Sequence, residues 1–236
     1  MVTSHWQRQD VTEDYLENVR GGIPFGAEQA KIMLQVIHHF NPYPRKVIDL
    51  GCGNGFLAKI ILKSFPDASA ILLDHSKPMI ESAKENMKIY NKRCDIILDD
   101  FHSIDELADS HSVDCIVSGF AIHHLPHSQK KQLYNKIYHL LSKGGIFINM
   151  EHTASATAEL ETLYDELFID HLSNYNQKDR ETVAKEYHSR PDKEDNILET
   201  VTVQLDWLKD IGFKHTDCYF KWFELAIFGG VKREKS

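Results

Sequence analysis

The amino-acid sequence predicts an α/β fold in which helices cover both faces of a mostly parallel β-sheet. From residue 45 onward, short apolar runs alternate with longer segments of helical periodicity, which is typical of βαβ units. The runs VIDL and ILLD have no polar face, as expected for strands covered on both sides. Glycines and acidic residues follow several of these runs, at the edge where ligands bind in open α/β sheets.

The individual elements follow from apolar patterns and from the residues that interrupt them. A helix over 56–65 ends before Pro66, and a helix over 201–211 ends before Gly212. A turn over 142–145 separates another helix from the strand that follows it. The predicted core strands are 46–50, 70–74, 94–98, 113–118 and 145–150, the further helices are 77–90 and 129–141, and the closing strands are 213–221 and 223–231.

The chain is long enough for a single domain, 1–236, with additions to a central core. We assign 45–153 to the cofactor-binding core and 201–236 to a closing helix and hairpin. Residues 1–44 are predicted to form N-terminal helices, and 154–200 a helical insertion or lid with an apolar stripe in its first half.

Composition narrows the function classes. The formal net charge of −8 and the absence of a dense Lys/Arg stripe disfavour a nucleic-acid partner. No apolar run reaches the length of a membrane span, and the polar start lacks a signal-peptide pattern, so no membrane partner is expected. Four widely spaced cysteines suit free thiols in the cytoplasm and indicate no metal site. The sequence is also compatible with a homodimer.

The stretch VIDLGCGNG, residues 47–55, is the first chemical signal. Glycines between a strand and a helix let the backbone approach a ligand closely. The dinucleotide pattern G-x-G-x-x-G fails because Phe56 stands after Gly55, and the phosphate loop is absent. Asp49 would repel a phosphate and attract a cation. The loop is therefore predicted to hold a ligand other than a pyrophosphate.

Two further acidic residues end the next two strands. Asp74 follows the second strand, where a carboxylate can accept hydrogen bonds from both ribose hydroxyls. Asp100 and Phe101 follow the third strand and place a carboxylate and an apolar edge where an adenine can lie. An Asp at one strand end is often only a turn residue, but three in succession indicate a nucleoside-like ligand.

Together, VIDLGCGNG, LLDHS, LDDF, DCIVSGFAIHHL and SKGGIFIN resemble the class I S-adenosylmethionine-dependent methyltransferases over residues 40–150. The resemblance implies a Rossmann-like, seven-stranded, mostly parallel sheet with an antiparallel last strand, and S-adenosyl-L-methionine as cofactor. It implies that Asp74 binds the ribose and that Asp100 and Phe101 contact the adenine, with Asp99 as the alternative to Asp100. The residues that it assigns to the amino-acid end of the cofactor are Asp49, Gly51 and Gly53. The further cofactor-binding candidates are Asn54, His75, Met79 and Ser118.

Methyl transfer needs a base only if the acceptor must lose a proton. His123 and His124 follow the fourth strand and are the catalytic candidates, with helix capping as the alternative role. Pro126 disfavours a metal pair between His123 and His127. The substrate-side candidates are Tyr15, Phe25, Glu151 and Arg190.

We therefore expect methyl transfer to an oxygen or nitrogen atom of a small-molecule acceptor. The layout of the insertion and of the C-terminal part is also similar to the carboxy-S-adenosylmethionine synthases, in which an arginine before the last helix holds the extra carboxylate. Arg190 is near that place, although Pro191 follows it. A non-catalytic S-adenosylmethionine-binding module is a further alternative, and the missing third glycine disfavours a nicotinamide enzyme.

Overall fold

The computed structural model describes residues 7–9 and 20–233, and seven strands in them form one sheet. The spatial order is β3-β2-β1-β4-β5-β7-β6. Strands β1 to β5 pair in parallel, and β7 runs antiparallel to both of its neighbours. The strands are β1 Lys46–Leu50, β2 Ser69–Asp74, β3 Cys94–Leu98, β4 Val113–Gly119, β5 Leu141–His152, β6 Lys214–Trp222 and β7 Leu225–Val231. The predicted fold class is confirmed.

Seven α-helices lie in the described residues. The predicted helix over 77–90 ends at Asn86, and a 3-10 turn, Lys88–Tyr90, follows it. The predicted helix over 129–141 begins two residues earlier, after Pro126, whose fixed backbone suits a helix start. The helices are α1 Gly26–Phe40, α2 Phe56–Ser64, α3 Lys77–Asn86, α4 His127–Leu140, α5 Ala158–Asn176, α6 Arg180–His188 and α7 Val201–Ile211.

The turn predicted at 142–145 is part of a longer β5 in the structure. Gly144 has a positive φ of 84°, but its amide donates to the carbonyl of Lys232, and the Lys232 amide donates back to Gly145. These bonds continue the pairing beyond the end of β7. The glycines therefore make an irregularity within the strand, since the chain after β7 supplies partners that the local sequence does not show.

Helices cover the sheet on both faces, which explains the apolar runs of the central strands. On one face, α1, α2 and α3 pack through residues such as Met33, Ile61 and Ile80. On the other face, α4 and α7 pack through residues such as Ile137 and Leu208. Burying each such side chain contributes about 1.5–3 kcal/mol. Because the central strands are buried on both sides, their polar residues are confined to the ends.

The insertion forms a small apolar cluster of its own beside the sheet. Helices α5 and α6 contribute buried residues that include Tyr164, Phe168 and Tyr187, and Leu225 at the start of β7 joins them. A 3-10 turn, Pro191–Asp195, then leads back toward the core. In the part of the chain that the structure describes, every helix is too short or too polar to cross a bilayer.

Candidate functional site

A cavity of about 470 Å³ lies at the carboxyl edge of the sheet, where β1, β2 and β4 end. We call it the edge cavity. The strand order reverses between β1 and β4, and ligands bind in open α/β sheets at such a switch point. Its volume falls within the range of about 300–1,000 Å³ that is usual for small-molecule sites.

The glycine loop, residues 51–55, lines one part of the edge cavity. Gly51 and Gly53 have φ values of 65° and 53°, which L side chains rarely adopt. A Cβ on Gly51 would also overlap the Cβ of Ala121. The amides of Gly51 and Cys52 donate to the Leu73 carbonyl at 2.8 and 3.0 Å, so the loop is tied to the end of β2. The sequence needs glycine here for both conformation and space.

Two of the predicted acids accept backbone amides, Asp49 from the helix that follows this loop and Asp74 from the loop itself. Asp49 is fully buried, and its Oδ2 accepts the Ala58 amide in the first turn of α2 at 3.0 Å. The two oxygens of Asp74 accept the amides of Gly53 and Ser76, each at 2.8 Å. Burial raises the pKa of Asp74, and the hydrogen bonds from the two amides act in the opposite direction. Each carboxylate oxygen keeps further acceptor capacity toward the cavity.

Asp100 lines the edge cavity and Asp99 does not. The Oδ1 atom of Asp100 accepts the backbone amide of His102 at 2.6 Å and lies 2.9 Å from Nδ1 of the His102 ring. Desolvation acts to raise the pKa of Asp100, but these hydrogen bonds outweigh it and lower the pKa overall. Phe101 lies close to Gly51, so its ring covers the loop.

Most of the predicted cofactor-binding residues lie together in this cavity, and Ser118 does not. Its side chain is fully buried and its hydroxyl donates to the Leu50 carbonyl at 2.7 Å, which ties β4 to β1 below the cavity. Gln7, in the short described part of the N-terminal segment, donates to the His75 carbonyl at 2.5 Å. The predicted residues that line the cavity are Asp49, Gly51, Gly53, Asn54, Asp74, His75, Met79, Asp100 and Phe101.

The two histidines after β4 point into different cavities. His124 lines the edge cavity, and its Nδ1 lies 3.2 Å from the carbonyl of Asp195. Burial lowers the pKa of His124 to about 3. His123 lines a second cavity of about 70 Å³ between the sheet and the insertion. The sequence places both residues at the rim of one cleft, and the structure brings only His124 to the edge cavity.

Phe120 lines both cavities and separates them. Its φ of 53° is left-handed, which is uncommon for a bulky residue and is found where surrounding structure imposes it. Its amide donates to the Met150 carbonyl at 2.8 Å. The chain turns sharply after Gly119 because Phe120 has this left-handed conformation. The sequence analysis missed Phe120, for which no local pattern is diagnostic.

Glu151 is a buried partner of His123. Its Oε1 lies 2.6 Å from Nδ1 of His123, and its Oε2 accepts a hydrogen bond from the side-chain amide of Asn149 at 3.2 Å. Burial raises the pKa of Glu151 to about 7 and lowers that of His123 well below its ordinary value. Burial therefore opposes the ion pair and favours the neutral form of each group. The predicted substrate role of Glu151 gains no contact, since neither cavity includes it.

The remaining predicted substrate residues are dispersed. Tyr15 lies outside the described residues. Phe25 is half exposed and packs against the rings of Phe220 and Trp222, away from the edge cavity. Arg190 lines the second cavity, where its guanidinium forms a two-point ion pair with Asp192, whose Oδ1 lies 3.1 Å from Nε.

The edge cavity is also lined by three residues of the segment that follows Arg190, and the sequence analysis missed them. They are Glu194, Asp195 and Ile197, and we call residues 194–197 the closing segment. They follow an irregular part of the sequence, and no local pattern indicates their position. The turn after β4 contributes Ala121 and Leu125 to the same cavity.

Comparison with known proteins agrees with this architecture. Residues 47–145 match the family model described as "Methyltransferase domain". The carboxy-S-adenosyl-L-methionine synthase of Campylobacter lari is 26% identical over 225 residues, covering 94% of this chain and 92% of that protein. The enzyme of the same name from Nautilia profundicola is 24% identical over 95% of this chain and 93% of its own.

Solved structures show the same fold. A putative S-adenosyl-L-methionine-dependent methyltransferase from Methanococcus maripaludis has a TM-score of 0.62 and 21% identity, covering 97% of this chain and 93% of that one. A putative O-methyltransferase from Nostoc punctiforme has a TM-score of 0.62 and 18% identity, and this chain spans 57% of its length. The resemblance that the motifs indicate is confirmed: this chain has the fold of the S-adenosylmethionine-dependent methyltransferases.

Proposed function

We propose that the edge cavity binds S-adenosyl-L-methionine and that the protein transfers its methyl group to an oxygen or nitrogen atom of a small molecule. One observation carries the proposal. Carboxylates from the ends of β1 and β2 and from just after β3 meet at one cavity beside a tightly turned glycine loop. Asp49 would attract the ammonium of the amino-acid end, Asp74 would accept the ribose hydroxyls, and Asp100 with Phe101 would contact the adenine.

The charge of the edge cavity supports a cationic ligand. Its acidic residues outnumber its basic ones, since among the described residues that line it there is neither lysine nor arginine. A sulfonium and an ammonium group are both stabilised by such surroundings, whereas a phosphate is repelled. The acids are Asp49, Asp74, Asp100, Glu194 and Asp195.

The transfer itself is an in-line displacement: the acceptor atom forms a bond to the methyl carbon as the bond from carbon to sulfur breaks. Alignment of the methyl donor with the acceptor atom removes a large part of the activation barrier of such a step. His124 is better placed than His123 to accept a hydrogen bond from the acceptor, since it lines the edge cavity. With a pKa of about 3 it is neutral at neutral pH but only weakly basic. The acceptor proton would therefore leave mainly to water.

The first test is binding. Calorimetry with S-adenosylhomocysteine, the demethylated product, should give one site per chain, and S-adenosylmethionine should compete for it. Turnover is then measured by formation of S-adenosylhomocysteine across a panel of small hydroxyl and amine compounds. Binding without turnover of any acceptor would favour a non-catalytic module, and no binding would refute the proposal.

A second candidate function is carboxylation of the cofactor. It is favoured by the match to carboxy-S-adenosyl-L-methionine synthases over more than nine-tenths of both chains. Against it, the Arg190 guanidinium that would hold the extra carboxylate is already paired with Asp192. The glycine loop also reads GCGNG, as in ordinary methyltransferases.

Arg190→Ala separates the two functions. If the protein uses unmodified S-adenosylmethionine, the folded variant should bind S-adenosylhomocysteine within about threefold of wild type, because Arg190 lines the second cavity and not the edge cavity. Native mass spectrometry of the purified protein should then show no carboxylated cofactor. Retention of a carboxylated cofactor that Arg190→Ala abolishes would establish the second function instead.

A further inference from the structure

Lys130 is an unusual residue for its position. It lies in the first turn of α4, its side chain is 1% exposed, and it shares the helix face of Leu133, Tyr134 and Ile137 that packs into the core. A cation near a helix N-terminus opposes the helix dipole, and a buried ammonium loses its hydration. Two unfavourable effects thus act on one side chain, which points to a role that an apolar residue could not fulfil.

The ammonium group is fully engaged with backbone carbonyls. Its Nζ donates to the carbonyl of His123 at 3.1 Å, to that of Ile197 at 2.5 Å, and to that of Leu125. An ammonium has three protons, so these three acceptors use all of them. Burial lowers the pKa of Lys130 to about 8, and the nearby carboxylates of Glu151 and Glu199 act in the opposite direction, so the charged form persists at neutral pH.

These carbonyls belong to two different walls of the edge cavity. His123 and Leu125 are in the turn after β4, which lines the cavity through Ala121, His124 and Leu125. Ile197 is in the closing segment. The two walls also touch directly, since the Ile197 amide donates to the His123 carbonyl at 3.0 Å. Lys130 therefore stands behind the junction of the two walls, outside the cavity itself.

We infer that Lys130 is a positioning residue whose ammonium holds the closing segment against the turn after β4 and so completes the wall of the edge cavity. The inference rests on the proposed function in that it takes S-adenosylmethionine as the ligand of that cavity. Without the ammonium, three carbonyls lose their shared donor. The closing segment then still contacts the turn through the Ile197 amide bond, the contact of the Asp195 carbonyl with His124 and the hydrogen bond between the side chains of Asn196 and His123.

The test compares two lysines that bind carbonyls at different places. Lys232 donates to the carbonyls of Leu141 and His139 at 2.7 and 3.3 Å, beside the start of β5 and away from the edge cavity. Lys130→Met and Lys232→Met each remove an ammonium group that donates to backbone carbonyls, at a buried position for Lys130 and at a partly exposed one for Lys232. S-adenosylhomocysteine is the probe, with affinity measured by calorimetry and dissociation by stopped flow, at a temperature where circular dichroism shows both variants folded.

Lys130→Met should weaken S-adenosylhomocysteine binding by roughly 10- to 100-fold, mainly through faster dissociation, as expected for loss of charged hydrogen bonds. Lys232→Met should bind within about twofold of wild type. In hydrogen exchange without ligand, amides of 194–199 should lose protection in Lys130→Met while those of β1 and β4 keep theirs. A purely structural lysine would lower stability without this local signature.

Equal affinities and equal protection of 194–199 in the two variants would overturn the inference. If Lys130→Met does not fold, Lys130→Gln, which keeps an amide donor without the charge, is measured in the same way. In wild type, S-adenosylhomocysteine should raise the protection of 194–199, and an unchanged pattern would also overturn it. Failure of wild type to bind S-adenosylhomocysteine refutes the proposed function instead, and the exchange comparison between variants still tests the lysine.

Discussion

The glycine loop and the closing segment are two walls of one cavity, and they are held in place in different ways. The loop is fixed by positive φ values at its own glycines and by backbone bonds to the end of β2. The closing segment is irregular, and a lysine 67 residues earlier in the chain anchors it. The conformation of the glycine loop requires glycine at specific positions, whereas the position of the closing segment depends on contacts with distant residues. We therefore expect the glycine loop to tolerate substitution least.

The largest expected effect is on the loop. Gly51→Ala introduces a Cβ that overlaps Ala121 and imposes a conformation unfavourable for alanine. S-adenosylhomocysteine binding should fall by more than about 100-fold, with stability lowered by about 2 kcal/mol or more. Calorimetry and urea unfolding measure the two effects.

Gly144→Ala is the matched control for this substitution. Its φ of 84° imposes a similar conformational cost, but no atom lies within 4 Å of the added Cβ. We expect a loss of about 1 kcal/mol in stability and no change in binding. Equal losses of affinity in both variants would show that the loop is not a special wall of the cavity.

A smaller effect is expected at the end of β2. Asp74→Asn removes the charge and replaces one acceptor oxygen by a donor, so the amide of Gly53 or Ser76 loses its partner. Binding of S-adenosylhomocysteine should weaken by about 1.5–3 kcal/mol in calorimetry. Asp99→Asn, at an exposed neighbouring strand end outside the cavity, should leave affinity unchanged. An Asp74 variant with wild-type affinity would remove the assigned ribose role.

The smallest effect concerns the buried pair behind the turn after β4. Because burial raises the pKa of Glu151 to about 7, the folded protein keeps a proton that the unfolded chain loses near pH 4.5. This contribution to stability is present below pH 4.5 and is lost as the pH rises toward 7. Glu151→Gln mimics the protonated form, so its stability relative to wild type should rise by about 1–2 kcal/mol between pH 5 and 8.

Urea unfolding at several pH values measures this difference, and Glu161→Gln on the exposed face of α5 is the control. The control should show a constant offset from wild type. If the Glu151 variant also shows a constant offset, the carboxyl is ionised in the folded protein throughout this range, and burial does not hold its proton.

Much of the part of the site that we assign to the methyl donor is predictable from the sequence. Strand ends, glycines and acids are contiguous signals, and a parallel sheet brings the ends of its strands to one edge whatever the loops do. Asp100 rather than Asp99 lines the cavity, as the apolar residue after Asp100 suggests. Ser118 differs because neighbouring positions of a strand face opposite sides, and its hydroxyl meets the Leu50 carbonyl.

The other wall was not predictable in the same way. His123 and His124 are adjacent in sequence, yet a 3-10 turn after the left-handed Phe120 sends them to different cavities. Lys130 did leave a signal, since it interrupts an apolar stripe at a core position of α4. Which carbonyls it would bind depends on a segment that is distant in sequence.

By itself, the sequence determined the alternation of strands and helices, the order of the motifs and the acid-rich ligand edge, because each depends on local periodicity and on what glycine and aspartate do at strand ends. Only the tertiary structure decided which histidine faces the edge cavity, that Asp192 neutralises Arg190, and that the closing segment meets the turn after β4 through Lys130. Those outcomes depend on buried polar groups finding partners across long chain separations, and such pairing is set by packing of the whole fold.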